Sequence, residues 1–501
     1  MEYLHYIVSA LIILIVMVLL AKRSKLSLHL LQLEDYNKDR YKLILNINRK
    51  LIFSLNLMDL SAAKPLVFTK RATRLYSVNL AISIIILLAS AIPVIMTGKL
   101  LYVIFLLLTS FILFRQQPYM VLITNIIMLP FEKKINDEFF TEAQKKIKSF
   151  ENLKTIGITG SFGKSSTKLI VGTILASKYK VLNPPEIYNT TVGLSKAINE
   201  ELDETIEVFV TEMRGRQIGE IQELAKLCQP QIGIITSIGP AHMQVFKNID
   251  NIMKAMYELI EELPADGVAI FNYDNEHIKK LADKTFKEKM LYGLEDIEKL
   301  DIYADDIVVS ELGSTFTIKD KEGNSHKCAT KLIGKENISN ILAGVCASRT
   351  LGLTLEEIVK AIGTVKPIPH RLNIINREDG IIVIDDSLNL NPIGVKGALE
   401  ALSQFKEGKK IIVTPGMSEL GEIEETANRE FGISIGKVCD YAILVGEEAT
   451  KTVYKGLIEG NFNPDSIFTV DSLDKAALKI KEIARPKDIV LFENDIPVSY
   501  K

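Results

Sequence analysis

The chain reads as an α/β protein with three N-terminal transmembrane helices, a P-loop central domain and a C-terminal Rossmann-like doubly wound domain. Three observations predict this. The first third holds long apolar runs without charge, and the remainder alternates short β-branched runs with helical ones. The first strand-to-helix junction of that remainder is a Gly/Ser/Lys cluster at 159–166. The expected boundaries are 1–140 for the membrane region, 141–369 for the central domain and 370–501 for the C-terminal domain.

Residues 4–21 ("LHYIVSALIILIVMVLLA"), 75–97 ("LYSVNLAISIIILLASAIPVIMT") and 100–114 ("LLYVIFLLLTSFILF") contain no Asp, Glu, Lys or Arg. A bilayer core needs about 20 apolar residues in a helix. The first two runs meet that, and the third does so over 98–116 by taking in Gly98 and Lys99. A signal peptide carries basic residues before its apolar run; here Lys22, Arg23 and Lys25 follow it. Together with Lys70, Arg71 and Arg74 they assign the 22–74 stretch to the cytoplasm, since positive flanks stay inside. The expectation is a multi-pass protein of the cell membrane with an outer N-terminus, a tight external turn at Gly98-Lys99 and everything after Arg115 cytoplasmic. The stretch "PYMVLITNIIMLPFEKK" (118–134) either lies along the interface or extends the third helix.

A chain of 501 residues accommodates two to four domains. Its net charge of −2 gives no basic field, so no nucleic-acid partner is expected. Cys228, Cys328, Cys346 and Cys439 lack C-x-x-C spacing, which argues against a zinc site or a disulfide framework and for reduced thiols.

From Asn152 the α/β alternation begins: "TIGITG" then "KSSTKLIVGTILASK", "VFVTEM" then "IGEIQELAKLC", "IGIITSIG" then "NIDNIMKAMYELIEEL", and "GVAIFN". A second series runs from Gly380: "GIIVIDDS", "KKIIVTPG", "YAILVG", "SIFTV" and "DIVLFEN", with helical segments between. Such alternation means mostly parallel sheets with helices on both faces. The turn-rich "KPIPHRLN" (366–373) separates the two series.

The stretch "KTIGITGSFGKSSTKLIVGTIL" (154–175) follows a strand and opens a helix, as a phosphate loop does. Glycines let backbone N–H groups turn inward, and the helix N-terminus adds partial positive charge. Lys164 then reaches outer phosphates and Ser165 offers its hydroxyl to Mg2+. The pattern departs from G-x-x-x-x-G-K-[ST]: Ile158 occupies the first glycine position, and the glycine is Gly160.

The short form T-G-[ST]-x-G-K-[ST]-[ST], met by Thr159, Gly160, Ser161, Gly163, Lys164, Ser165 and Ser166, resembles the loop of the Mur ligase superfamily. "TEMRGRQIGEIQELAKLCQPQIGIITSIGPAHMQVF" is similar to the family stretch E-M-G…G-E-I…I-T-N-I-G-x-A-H-L-E-x-F, which implies Glu212 as Mg2+ carboxylate and His242 as metal-site histidine. "IYNTTVGLSKAI" resembles a segment near the γ-phosphate, and "GKENISNILAG" implies Asn337 and Asn340 near adenine. Arg371 in "PHRL" falls on a nucleotide-contacting arginine; "VIDDSLNLNPIG" implies Asp386 near the ribose, with Asn389 in the same loop. "TPGMSELGE" resembles the D-alanyl-D-alanine-adding (MurF-type) branch, and the likeness spans about Thr155 to Gly446.

Each residue also has a plainer role open to it. A carboxylate at a strand end is often a solvated turn residue, but strand C-termini are where α/β ligands sit, which favours function for Glu212. A lone histidine is more often structural; the loop and Glu212 beside it favour a metal role for His242. Asn337 and Asn340 share a helical face, so capping or packing rivals ligand contact. Asp385 or Asp386 can cap the following helix, and an arginine at a domain junction, such as Arg371, can serve as an ion-pair residue.

The resemblance implies an ATP- and Mg2+-dependent, ADP-forming amide ligase that acts through an acyl phosphate on a muropeptide acceptor, UDP-linked or lipid-linked, with D-alanyl-D-alanine or a similar amine donor. Lys164, Glu212 and His242 are the catalytic set, and Ser165, Glu212 and His242 the metal set. Departures are evident. Met256 stands where the family has a carbamylated lysine, Glu336 replaces the adenine-loop histidine, and membrane spans replace the UDP-binding domain. A thioether is a poor ligand for hard Mg2+, so either the second metal is held differently or phosphoryl transfer is impaired. Two alternatives remain: a membrane-bound ATPase coupled to transport or sensing, and a catalytically weak nucleotide-binding paralogue.

Overall fold

The computed structural model describes residues 4–34, 36–47, 66–186, 188–241, 243–388, 391–418 and 420–493. The chain divides into two compact units, 1–138 and 139–501.

In the first unit lie α1 (Leu4–Leu33), α2 (Lys38–Ile47), α3 (Lys70–Thr97) and most of α4 (Leu100–Ser149). Three of these helices, α1, α3 and α4, are long and apolar enough to cross a membrane. Each outruns its apolar stretch: α1 continues through Lys22–Lys25, and α4 takes in 118–134 as uninterrupted helix. Thr69 caps the start of α3 with its side chain on the Ala72 N–H, and Gly98, at φ 63°, ends it in the left-handed conformation. Gly98 and Lys99 therefore do form a tight turn. Leu11, Leu14, Val18, Ile85, Ile92 and Phe111 point outward, an exposure that suits lipid. The inward faces carry polar groups that satisfy one another. Asn79 donates to Ser24 at 2.7 Å and to Gln117 at 2.9 Å, and accepts from Thr124 at 3.2 Å. Arg74 and Glu132 make a two-pronged pair, at 2.8 and 2.7 Å.

The second unit contains two sheets. The first has nine strands in the order β2-β3-β1-β4-β5-β6-β7-β8-β9. They are β1 (Lys154–Thr159), β2 (Val181–Leu182), β3 (Val208–Glu212), β4 (Ile232–Ile235), β5 (Val268–Asn272), β6 (Lys289–Gly293), β7 (Ile302–Ser310), β8 (Gly313–Asp320) and β9 (Ser325–Thr330). Strands β1 to β7 pair in parallel, and apolar side chains cover both faces. One face packs on α5 (Lys164–Leu175), the other on α6 (Thr191–Glu201), α7 (Glu220–Cys228), α8 (Met243–Phe246), α9 (Ile249–Glu261) and α10 (Glu276–Lys284). Helices α11 (Lys335–Thr350) and α12 (Leu355–Ile362) complete the first layer.

The sheet is not wholly parallel. β7, β8 and β9 form an antiparallel meander, and Gly313, at φ 121°, makes its first turn where a Cβ would overlap the Thr330 carbonyl oxygen. The second sheet has the order β10-β11-β15-β12-β13-β14, from β10 (Asn373–Asn376), β11 (Ile382–Asp385), β12 (Lys410–Thr414), β13 (Tyr441–Val445), β14 (Ile467–Val470) and β15 (Ile489–Phe492). It is parallel apart from β10, with α13 (Pro392–Ser403), α14 (Glu424–Val438) and α15 (Glu447–Glu459) on one face and α16 (Leu473–Ile483) on the other. All four cysteines are free and buried, distributed over three of these core layers.

Candidate active site

The site lies at the C-terminal ends of β1, β3 and β4, where a parallel sheet presents its loops. Thr159 ends β1 fully buried, and its hydroxyl lies 3.0 Å from the Met213 carbonyl oxygen and 3.1 Å from the Met256 sulfur. Gly160 (φ 144°) and Gly163 (φ 79°) take conformations that favour glycine, and a Cβ on Gly160 would overlap the Thr236 hydroxyl. The loop is tied to the segment after β4. Ser161 N–H donates to Ser237 O at 2.7 Å, its hydroxyl donates to Gly239 O at 3.0 Å, and Thr236 donates to Phe162 O at 2.5 Å. Gly163 is the N-cap of α5, so the helix opens onto the concave side of the loop.

Lys164 folds back over this loop, with Nζ donating to Gly160 O at 2.8 Å and Ser161 O at 3.2 Å. Desolvation by burial lowers its ammonium pKa to about 8; Glu212 opposes that fall, while Arg214 and Arg371 add to it. Ser165 Oγ lies 2.7 Å from Glu212 Oε2 and 2.8 Å from Glu186 Oε1. Glu212, the last residue of β3, is only 3 % exposed and also accepts from Asn189 Nδ2 at 3.3 Å. Ser166 is buried beneath the loop. Oxygens of Ser165, Glu186 and Glu212 form a hard donor set, which is what Mg2+ takes. His242 and Asn389 lie outside the described residues.

Of the two asparagines of α11, Asn337 donates to Ile333 O at 2.9 Å, a contact at the start of its own helix. Asn340 packs under the loop: its Oδ1 accepts from Thr167 at 3.0 Å, and its buried amide nitrogen has no hydrogen-bond partner. Glu336, beside them, faces the fully buried Glu493 at the end of β15. Burial, then the like charge of Glu336, pushes the Glu493 carboxyl up to about 8.

Arg371, in the junction before β10, places Nη2 on Glu186 Oε1 at 3.1 Å. It sits between His370 (φ 64°) and Leu372 (φ 47°), both in a region that disfavours side chains. The two aspartates at the end of β11 hold this corner. Asp386 Oδ1 accepts from the Leu372 N–H at 2.8 Å, and Asp385 Oδ2 lies 2.8 Å from His370 Nδ1. Asp386 is fully buried, and its Oδ1 braces the corner.

Sequence reasoning missed Glu186, Lys168 and Arg214. Glu186 sits in a Pro-Pro-Glu turn without periodicity. Lys168, one helical turn beyond Lys164, is buried with Nζ on Pro184 O at 2.5 Å; that i,i+4 spacing is the signal that finds it.

Residues 158–348 match the family described as the Mur ligase middle domain, and residues 370–493 that described as Mur ligase, glutamate ligase domain. The UDP-N-acetylmuramoyl-tripeptide–D-alanyl-D-alanine ligase of Bacillus subtilis is 29% identical over 361 residues, 71% of this chain and 77% of that one. Its Mycobacterium leprae counterpart is 26% identical over 367 residues, 68% and 71% of the two chains. Among solved structures, the MurF ligase of Thermotoga maritima in complex with ADP superposes with a TM-score of 0.65 at 25% identity, covering 72% of this chain and 80% of that one. MurF from Acinetobacter baumannii shares the fold at TM-score 0.64 and 24% identity, over 72% and 77%.

Proposed function

This chain belongs to the Mur ligase family, and on that premise we propose that it is an ATP-dependent, ADP-forming ligase joining an amine donor to the carboxyl group of a cell-wall muropeptide. The observation that carries this reading is the convergence of Lys164, Ser165 and Glu212 on the glycine loop. The relatives' names give the donor and acceptor class: D-alanyl-D-alanine and a muramoyl tripeptide.

The roles follow from charge and reach. N–H groups of Gly163 to Ser165, at the N-terminus of α5, cradle the β- and γ-phosphates. Lys164 exchanges the Gly160 and Ser161 carbonyls for phosphate oxygens. Ser165 and Glu212 would hold Mg2+, and the sequence resemblance adds His242 as a further ligand. When bound, the ion offsets charge on the transferring phosphoryl group. The acceptor carboxylate attacks the γ-phosphorus and ADP leaves. The amine then attacks the acyl carbon, releasing phosphate and a proton. Arg371 contacts the nucleotide from the C-terminal domain with Asp385 and Asp386 as positioning residues. Asn340, with its unpartnered amide, and Asn337 serve the adenine side.

Helices α1, α3 and α4 anchor the chain in the cell membrane with residues 139–501 in the cytoplasm, a reading supported by the basic flanks at 22–25 and 70–74. That placement favours a lipid-linked acceptor at the inner leaflet over a UDP-linked one. The test is ADP release by full-length protein in nanodiscs, with Mg-ATP, D-alanyl-D-alanine and either acceptor, and Lys164→Ala as control. Release that needs both acceptor and amine supports the ligase and identifies the acceptor. Acceptor-independent release overturns it in favour of a membrane ATPase, and nucleotide binding without turnover in favour of an inactive paralogue.

A further inference from the structure

The proposed ligase reading leaves one local problem open: what completes the cation site on the side closed by Met256. Met256 is 3% exposed, its sulfur is engaged by the Thr159 hydroxyl, and a thioether ligates hard cations poorly. Glu186 extends from the turn after β2. Three oxygens converge there: Ser165 Oγ, Glu212 Oε2 at 2.7 Å from it, and Glu186 Oε1 at 2.8 Å from it.

A serine hydroxyl carries one proton. It can donate to one carboxylate, so the other contact sets oxygen lone pairs against each other unless a cation lies among them. The separations suit one: ligands at about 2.0–2.1 Å around an octahedral Mg2+ stand about 2.9 Å apart along each edge. Arg371 Nη2 touches the same Glu186 oxygen at 3.1 Å, as a ligating carboxylate is commonly steadied by an outer donor. Lys168, buried behind the site, adds positive charge near both carboxylates without occupying the space between them, because its Nζ is held by Pro184 O.

We infer that Glu186 is a ligand of the active-site divalent cation, supplying beside Ser165 and Glu212 the anionic oxygen that Met256 cannot. The inference rests on the ligase reading but is tested apart from it, by metal binding rather than turnover. Mn2+ is titrated into full-length protein in detergent with ADP present, and bound ion is followed by electron paramagnetic resonance. Glu186→Gln is expected to weaken Mn2+ binding at least about tenfold, and Glu186→Asp to retain part of it. Circular dichroism should be unchanged, since Glu186 is half-exposed.

Wild-type Mn2+ affinity in Glu186→Gln, with loss in Glu212→Gln, overturns the inference and leaves the ligase reading standing. Unchanged affinity in both variants overturns the site itself. Equal weakening by Glu186→Gln and Arg371→Gln, with an unaltered Mn2+ spectrum in both, also overturns it, because Glu186 would then act only by holding Arg371.

Discussion

The Thr159 hydroxyl lies 3.1 Å from the sulfur of Met256, so the floor beneath the phosphate loop is closed by a thioether. Met256→Leu keeps volume and shape, and Thr159 keeps the Met213 carbonyl at 3.0 Å. The expected cost is below about 1.5 kcal/mol by denaturant unfolding, with ADP affinity unchanged. Met256→Lys places an ammonium in this buried position; it should destabilise by several kcal/mol, roughly, and bring no gain in turnover.

Gly160 and Gly163 have no substitute. Gly160→Ala meets the Thr236 hydroxyl, and Gly163→Ala puts a Cβ 2.9 Å from Asn340 Oδ1, both in left-handed backbone. Each should reduce ADP affinity at least about tenfold, since preorganised loop N–H groups carry phosphate binding. Equilibrium binding of a fluorescent ADP analogue checks this, with Ser177→Ala as an outlying control.

Asp386→Ala leaves the Leu372 N–H without its acceptor at a corner of unfavourable φ. The loss should be about 1–3 kcal/mol in stability. It should also weaken nucleotide binding through Arg371, so Asp386→Ala and Arg371→Ala together should be less harmful than the sum of the two. A double-mutant cycle on ADP affinity reads the coupling directly.

Glu493 gives a pH dependence. Its folded-state pKa, raised by burial and then by Glu336 to about 8, exceeds the usual carboxylate value, so the folded protein holds the proton more tightly than the unfolded chain. This group's contribution is therefore intact below the unfolded pKa, about 4.3, and is lost as pH rises through about 8. Glu493→Gln should match the wild type at acid pH and exceed it on the alkaline side by on the order of 2–4 kcal/mol. Unfolding midpoints measured at both pH values would show no such divergence if the carboxyl were already ionised in the fold.

The parallel strands were legible because each is an apolar or β-branched run followed by a helical one, as in β1 and α5. The antiparallel meander was not, because β7 and β9 mix buried with exposed residues and all three strands carry many polar side chains. Within the site, the loop, Lys164, Ser165 and Glu212 announced themselves by fixed spacing. Glu186 did not, because only folding brings its turn to Ser165. The bracing of Arg371 by Asp385 and Asp386 depends on contacts made between sequence-distant segments. Asp386 was readable as a strand-end acid, but its burial was not.

The four cysteines make the second unit a recorder of its own opening. Burial pushes Cys228 and Cys328 up to about 12 and raises Cys346 and Cys439 well above the usual thiol value, so the folded protein presents no thiolate to an alkylating reagent. Cys328 and Cys346 lie in one layer of the first sheet, Cys228 in the other, and Cys439 in the second sheet. The order in which peptides acquire a label in dilute denaturant is thus a stratigraphy of the fold, reading which layer yields first without adding a probe.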